Sequence, residues 1–395
     1  MPKIELLAPA GDLLKLKIAI LYGADAVFIG GEMFSLRSRA SNFTIDDIKE
    51  ACAFAHQHNA KVHVTCNIVM HNIDLEGLID YLKALEEAKV DAIITSSLYM
   101  LKLAKEHTNL EVHMSTQLST LNSEGIKLFK SLGASRVVLG RELSLEEIIE
   151  LKNSTTLEIE AFIHGGMCAS LSGRCMLSNN MTNRDANRGG CAHSCRWNYN
   201  LYQDGHKLNK DNDYFSFSAK DLEALEFIPS LIDNNINSLK IEGRMKSIHY
   251  IATVTNTYRH LIDEYLKTGQ IKDFTIYHNM LKKAENRLLS TGFYAGDPTV
   301  NEQLYDLNLA VPTKNFIGLV LSYDETNKIC HIEQRNYFEE GDEVEVFTPS
   351  QSFTLKITEL YDEDGNKVSV ARHPRQLLYF KCDVKLNKYD MLRAL

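Results

Sequence analysis

One recurring phrase constrains this chain most: a short apolar strand ends in glycine or a small polar residue, and a helical stretch follows. The strand candidates are Ile4–Gly11, Ala24–Gly31, Lys61–Ile68, Asp91–Ser97, Glu111–Gln117, Ser135–Glu142, Leu157–Gly165 and Leu239–Arg244. Apolar residues between them fall at helical spacing, as Ile45, Ile48, Ala51 and Ala55 do in Thr44–Asn59 and Leu78, Ile79, Leu82 and Leu85 do in Glu76–Ala88. Thr44 ahead of Asp46 and Asp47, Ser123 with Glu124, and Ser144 ahead of Glu146 and Glu147 predict helix starts, with acids at the positive end of the helix dipole. Strands that alternate with helices run parallel. Eight of them predict an α/β fold of the closed (β/α)8, TIM-like kind rather than an open doubly wound sheet.

The rhythm breaks once. More than seventy residues separate Gly165 from Leu239, an insertion over 165–238 with an apparent hairpin (Tyr199–Leu208, Tyr214–Ser218) and a helix at Leu222–Asn234. An insertion at the C-terminal end of a barrel strand sits on the face where such folds place their chemistry. Helices follow at Ile248–Thr268 and Tyr277–Leu289, which closes a barrel domain over residues 1–300. Residues 311–395 change character. Strands at Phe316–Tyr323, Cys330–Gln334, Glu343–Thr348, Phe353–Leu360, Val368–Ala371 and Leu377–Lys381, separated by turn signals, predict a small antiparallel β-barrel.

Barrel strands are buried on both faces and should read as branched apolar runs. Four here alternate instead. His63, Thr65 and Asn67 interleave with Val62, Val64 and Cys66; His113, Ser115 and Gln117 with Val112 and Met114; Glu160, Phe162 and His164 with Ile159, Ala161 and Ile163; Lys240, Glu242 and Arg244 with Leu239 and Ile241. The apolar set must meet the helices, so the polar set points inward. Buried polar groups persist when they pair with one another or serve a ligand. Both an internal salt-bridge network and a polar pocket satisfy that. Arg37, Arg39, Arg141 and Arg244 stand near strand ends, where guanidinium forks suit a small substrate bearing carboxylates. Arg39, Asn67, Gln117, Arg141 and Arg244 are thus the candidate substrate-binding residues, and His113, His164 and Glu242 the candidate catalytic groups.

A net charge of −9 argues against a broad, non-specific nucleic-acid coat. No apolar run is long enough to span a membrane, and the first residues lack the apolar core of a signal peptide, so a cytoplasmic protein is expected. Four of the eight cysteines cluster: Cys168, Cys175, Cys191 and Cys195 have the spacing C-x6-C-x15-C-x3-C. That pattern points to a metal centre. Structural zinc favours close pairs, which only Cys191 and Cys195 form, and a loose four-thiolate set suits an iron–sulfur cluster as well. His193 is a spare candidate ligand. Cys52, Cys66, Cys330 and Cys382 are isolated and read as buried small hydrophobes. Around the cluster, Arg174, Arg184, Arg188 and Arg196 face one acid, Asp185, with Trp197 and Tyr199 beside them. These arginines either receive an RNA backbone, with a base stacked on the aromatics, or offset cluster charge; Arg184, Arg188 and Arg196 are the candidate RNA-binding residues.

The run EAFIHGGMCASLSGRCMLS from Glu160 to Ser178 resembles the signature of the collagenase-like peptidase family U-32. Further phrases agree: Leu7–Gly11 (LAPAG), Arg39–Phe43 (RASNF), Ser115–Gln117 (STQ), Arg184–Gly189 (RDANRG) and Lys240–Ser247 (KIEGRMKS). The resemblance spans residues 1 to about 300, and the C-terminal segment is similar to that of longer members. It implies oxygen-independent hydroxylation with prephenate as co-substrate and a cysteine-held [4Fe-4S] cluster, zinc being the alternative. Within the family the chain is most similar to the subgroup that hydroxylates C5 of the tRNA wobble uridine to 5-hydroxyuridine. A peptidase, an rRNA hydroxylase and a non-catalytic adaptor are the competing expectations. Expected partners are tRNA, a small carboxylated co-substrate and a second copy or related family member, with no membrane. One departure concerns the fourth ligand. Many members carry a cysteine directly after a Ser-Lys-Asp-Leu phrase, whereas this chain has Ala219-Lys-Asp-Leu222 followed by Glu223, which leaves Cys195 as the substitute.

Overall fold

Eight parallel strands close on themselves: β1 (Glu5–Pro9), β2 (Ala26–Gly30), β3 (Lys61–Cys66), β4 (Ala92–Thr95), β5 (Glu111–Met114), β6 (Arg136–Val138), β7 (Glu158–Gly165) and β8 (Ser238–Ile241). Each pairs with the next, and β8 pairs with both β7 and β1, which completes the ring. This is a computed structural model, and it describes residues 4–36, 42–284, 287–304 and 315–395. The chain divides into two units, Met1–Leu281 with Asn286–Ala310, and Lys282–Glu285 with Val311–Leu395.

Local chemistry explains the helices of the first unit. Thr44 caps α2 (Ile45–Gln57) in a reciprocal box with Asp47, and Ser144 caps α6 (Leu145–Asn153) likewise with Glu147. At α5 (Ser123–Ser131) the cap is Asn122, one residue before the expected start, because its amide oxygen accepts from the Gly125 N–H. Helices α1 (Leu13–Leu21), α3 (Leu78–Glu87) and α4 (Leu98–His107) complete the alternation before the insertion, which carries the short α7 (Leu177–Thr182). Their buried side chains, among them Leu16, Ile48, Leu82 and Met100, pack against the outward apolar set of the strands, which includes Val62, Val64, Val112, Ile159 and Leu239.

Two expected helices are corrected. Leu222–Asn234 begins as a strand, Asp221–Glu223, that pairs antiparallel with the end of β7, and only Ile228–Asp233 (α8) is α-helical beyond a short 3-10 turn. Hydrogen bonding to a free strand edge overrode the helical spacing there. After α9 (Ile248–Thr268), helix α10 spans Phe274–Leu281, whereas Leu289–Ser290 is a strand paired to Asp221–Leu222.

The second unit is a seven-stranded antiparallel sheet. Its strands are β9 (Phe316–Asp324), β10 (Ile329–Gln334), β11 (Glu343–Phe347), β12 (Ser352–Lys356), β13 (Leu360–Asp362), β14 (Leu377–Lys381) and β15 (Met391–Ala394), in the order β12-β11-β15-β9-β10-β14-β13. The edge strands β12 and β13 do not pair among the described residues, so the sheet is a half-barrel. It wraps a core of Ile317, Val320, Ile332, Val344, Val346, Leu378, Phe380 and Leu392. The expected strand Phe353–Leu360 divides into β12 and β13, and β15, central to the sheet, gave no signal in its four residues, MLRA.

Candidate active site at the barrel mouth

The inward polar set forms two layers with different chemistry. At the N-terminal end of the barrel, the Arg136 guanidinium meets Glu5, Glu158 and Glu160, with Nη2–Oε2 at 2.7 Å to Glu158 and Nη1–Oε2 at 3.1 Å to Glu160. The second oxygen of Glu160 accepts from Lys240 Nζ at 2.8 Å. Burial alone would raise the Glu160 carboxyl, but Lys240 and Arg136 overcome it and hold the group at about 2. His63 and His113 meet edge to face here, 4.9 Å between centroids. Burial, and then the neighbouring imidazole, push His63 down to about 3; burial also lowers His113. This floor is a closed set of ion pairs and neutral imidazoles.

Above it opens a cavity of about 330 Å³ at the C-terminal ends of the strands. Phe28, Ile94 and Phe162 form its apolar base, and Thr65, Asn67, Ser115 and Gln117 its polar wall. Among the described residues, six cationic side chains line it (Arg141, Arg196, Lys240, Arg244, Lys246 and Arg287) against one carboxylate, Glu242. The Arg244 guanidinium is buried and fixed: Nη1 donates to Ser35 Oγ (2.9 Å) and Thr65 Oγ1 (3.2 Å), and Nη2 to the Leu36 carbonyl (2.8 Å). Arg141 lies over the Phe162 ring at 3.9 Å, donates to the Gly166 carbonyl at 2.9 Å and stands 3.8 Å from Glu242. Arg287 pairs with buried Asp221 and donates to Ser218 Oγ at 3.2 Å. Burial and then the adjacent Arg287 depress Arg196, the mark of a cation crowded by its own kind. Such a cavity attracts small anions and phosphates.

The insertion covers this mouth, and Cys168, Cys175, Cys191 and Cys195 all line the same cavity. Each cysteine-bearing stretch is tied down separately. Both oxygens of Glu142, beyond β6, accept from Ser172, one from its backbone N–H at 2.6 Å and one from its hydroxyl. Asn187 accepts from the Cys175 N–H at 3.3 Å and donates to its carbonyl at 3.0 Å, while its own carbonyl accepts from Val69 beyond β3 at 2.9 Å. Gly165 starts the insertion at φ +106°, and a Cβ there would lie 2.3 Å from the Glu242 carbonyl oxygen, so only glycine fits.

The four thiols are free, Cys168 and Cys191 exposed and the other two half-buried. Burial raises the Cys195 thiol; Arg196 opposes this, and the charge of the other three cysteines adds to it. Among the described residues, no three His, Cys, Asp or Glu side chains close on one point as a mononuclear site requires. Zinc would gather its thiolates around a single ion at about 2.3 Å; a cluster takes each thiolate on a different iron. The four thiols line one cavity, and thiolate is the donor type that both zinc and an iron–sulfur cluster take.

Most expected site residues meet in this cavity, namely Asn67, Gln117, Arg141, Glu242, Arg244, Arg196 and the four cysteines. Others do not. His113 belongs to the floor and does not line the cavity. His164 points the opposite way, its Nδ1 3.3 Å from the Tyr258 hydroxyl of α9. The cause is a bulge: Lys240 pairs with Phe162 and Ile241 with His164, so Ile163 is a surplus residue that inverts the alternation. Arg188 is engaged by Asp74, Nη2–Oδ1 at 2.9 Å, and Arg184 also stands outside the lining. Arg37 and Arg39 lie outside the described residues. Glu223 pairs with His278 of α10 at 2.5 Å and does not line the cavity. Sequence reasoning missed Lys246 and Arg287 as lining groups, although Lys246 stood in the KIEGRMKS phrase; Arg287, beyond α10, carried no signal.

The chain matches the model of peptidase family U32 over residues 11–304 and that of the family's C-terminal domain over residues 312–393. It belongs to peptidase family U32. This U32 chain is 49% identical over 401 residues to tRNA hydroxylation protein P1 of Bacillus subtilis, covering 99% of this chain and 94% of that protein. It is 38% identical over 261 residues to the 23S rRNA 5-hydroxycytidine C2501 synthase of Escherichia coli, covering 66% of this chain and 39% of that protein. A collagenase of Porphyromonas gingivalis is 30% identical over 373 residues, covering 90% and 89%. Among the described residues no helix is long and apolar enough to cross a membrane.

Proposed function

We propose that this U32 chain hydroxylates C5 of the tRNA wobble uridine to 5-hydroxyuridine, using an iron–sulfur cluster and prephenate as a small carboxylated co-substrate. The observation that carries the reading is the shared cavity, where four cysteines and six cations converge over an apolar base. Relatives named for tRNA hydroxylation and for 5-hydroxycytidine synthesis supply the reaction class, the oxidation of a pyrimidine in RNA. Cys168, Cys175, Cys191 and Cys195 would hold the cluster, which when bound supplies one-electron redox chemistry. Arg141 and Arg244 bind the carboxylates of the co-substrate. Phe28, Ile94 and Phe162 exclude water, which strengthens each charge contact above them. Asn67 and Gln117 orient the base through their amides, Glu242 is placed to hold a proton on its carboxylate, and Arg196 meets the RNA backbone.

Nucleoside mass spectrometry of tRNA from cells lacking the protein tests this: 5-hydroxyuridine and its derivatives should disappear and return with the wild-type gene but not with Cys168→Ser. Unchanged tRNA in a strain without a related enzyme overturns it. Loss of a hydroxylated cytidine from rRNA would instead move the substrate to the ribosome. Proteolysis by the pure protein that vanishes with Cys168→Ser would establish the peptidase.

A further inference from the structure

The insertion carries an aromatic surface that the cavity chemistry does not use. Between Trp197 and Phe217 the chain folds into a hairpin: Tyr202–Gln203 pairs antiparallel with His206–Lys207 about an Asp204-Gly205 turn with both residues at positive φ, and Tyr199 bridges Phe215. This hairpin is tied to the last cysteine pair. The Phe217 N–H donates to the Cys195 carbonyl at 2.9 Å, and the Tyr199 hydroxyl to the Ser194 carbonyl at 2.6 Å. Large apolar side chains nonetheless face solvent along it: Trp197 is 40% exposed and Phe217 46%, joined by Tyr202 and Tyr214. Phe217 is not a loose side chain, because Phe215 (4.9 Å) and Tyr199 (5.8 Å) hold it edge to face. Arg196, the residue before Trp197, lines the cavity.

Exposed aromatics on a hairpin anchored beside a cationic cavity have a specific physical use. A base must leave its stack to reach an enclosed reaction site, and the nucleotides flanking it then lose a stacking partner. Aromatic side chains at the mouth replace that partner for any base, while a neighbouring arginine takes the backbone. We propose that Trp197 and Phe217 form a stacking shelf for the unpaired bases next to the target nucleotide, so that the hairpin selects single-stranded RNA loops and rejects duplex. The proposal rests on the reading that the substrate is RNA.

Trp197 is the chain's single tryptophan, so its emission reports the shelf directly. The full-length protein is titrated with a tRNA anticodon stem-loop and with a fully paired duplex of equal length. The stem-loop should quench Trp197 and the duplex should not. Trp197→Ala and Phe217→Ala should each weaken stem-loop binding by roughly 5- to 100-fold, the loss of one base–aromatic stack, without changing the slope of log affinity against log salt. Trp197→Phe and Phe217→Tyr should retain most of the affinity, which separates stacking from misfolding. Arg196→Gln should lower the salt slope by about one unit, as loss of a phosphate contact does. Unquenched emission on saturation by RNA, equal affinity for duplex, or wild-type affinity in both alanine variants would each overturn the shelf. So would a change in self-association on sedimentation with RNA affinity untouched, which would make the hairpin a protein interface. A wild-type protein that binds neither RNA removes the RNA reading itself, and the shelf with it.

Discussion

The floor and the mouth of the barrel are built from the same alternation of polar and apolar residues, yet one is electrically closed and the other open. On the floor every cation is ion-paired, Arg136 to Glu5, Glu158 and Glu160, and Lys240, which reaches the cavity from below, to Glu160. At the mouth, cations outnumber carboxylates, and Arg196 is destabilised by burial and its neighbour Arg287. A polar interior therefore says little until its charges are counted. Matched charge holds a fold together, whereas surplus charge waits for a ligand.

Substitutions can break this contrast, and the largest effect on stability should come from the floor. Arg136→Met leaves three carboxylates without their common partner and should cost about 3–5 kcal/mol, read from urea unfolding; a loss below 1 kcal/mol would mean the floor is not a closed network. Next comes pH. Folding keeps His63 and His113 neutral, whereas in the unfolded chain they take up protons below about 6.5. Stability should thus fall as pH drops below about 6.5, by up to about 1.4 kcal/mol for each pH unit from His63, whose folded value is about 3, with His113 adding in the same direction. Unfolding midpoints between those limits test this, and His63→Asn should flatten the slope. Glu142→Ala removes two hydrogen bonds to a charged acceptor and should release the Ser172 segment, at a local cost of about 2 kcal/mol. Hydrogen exchange over residues 169–175 should then accelerate, while Ser172→Gly, which keeps the backbone bond and suits the positive φ, should stay protected. The smallest effect belongs to the mouth. Arg196→Met should change stability by no more than about 0.5 kcal/mol while abolishing most tRNA modification; a destabilisation as large as that of Arg136→Met would erase the distinction between the layers.

The barrel was legible because eight strand–helix phrases leave few alternatives, and the interior because a buried alternation has only two faces to assign. The cysteines stood out by their spacing, and all four line the cavity. What escaped was of two kinds. His164 was misassigned because a bulge is a long-range pairing event: nothing local marks Ile163 as surplus, since its surplus exists only against β8. Arg287 escaped because it enters the cavity from beyond α10, where no periodic element announces it. Likewise Asp221–Glu223 is a strand only because β7 offers it an edge.

That surplus residue has a wider effect. By turning the chain half a step before Gly165, it frees the lid from the parity of the strand that launches it. The backbone at Gly166, which would otherwise continue the ladder, is left to present its carbonyl to Arg141. Deleting Ile163 would thus do more than shorten a strand: it would restore an unbroken register of β7 on β8, leave the imidazole beside Ile241 on the helix side, and remove the kink from which the sulfur-bearing cover sets out.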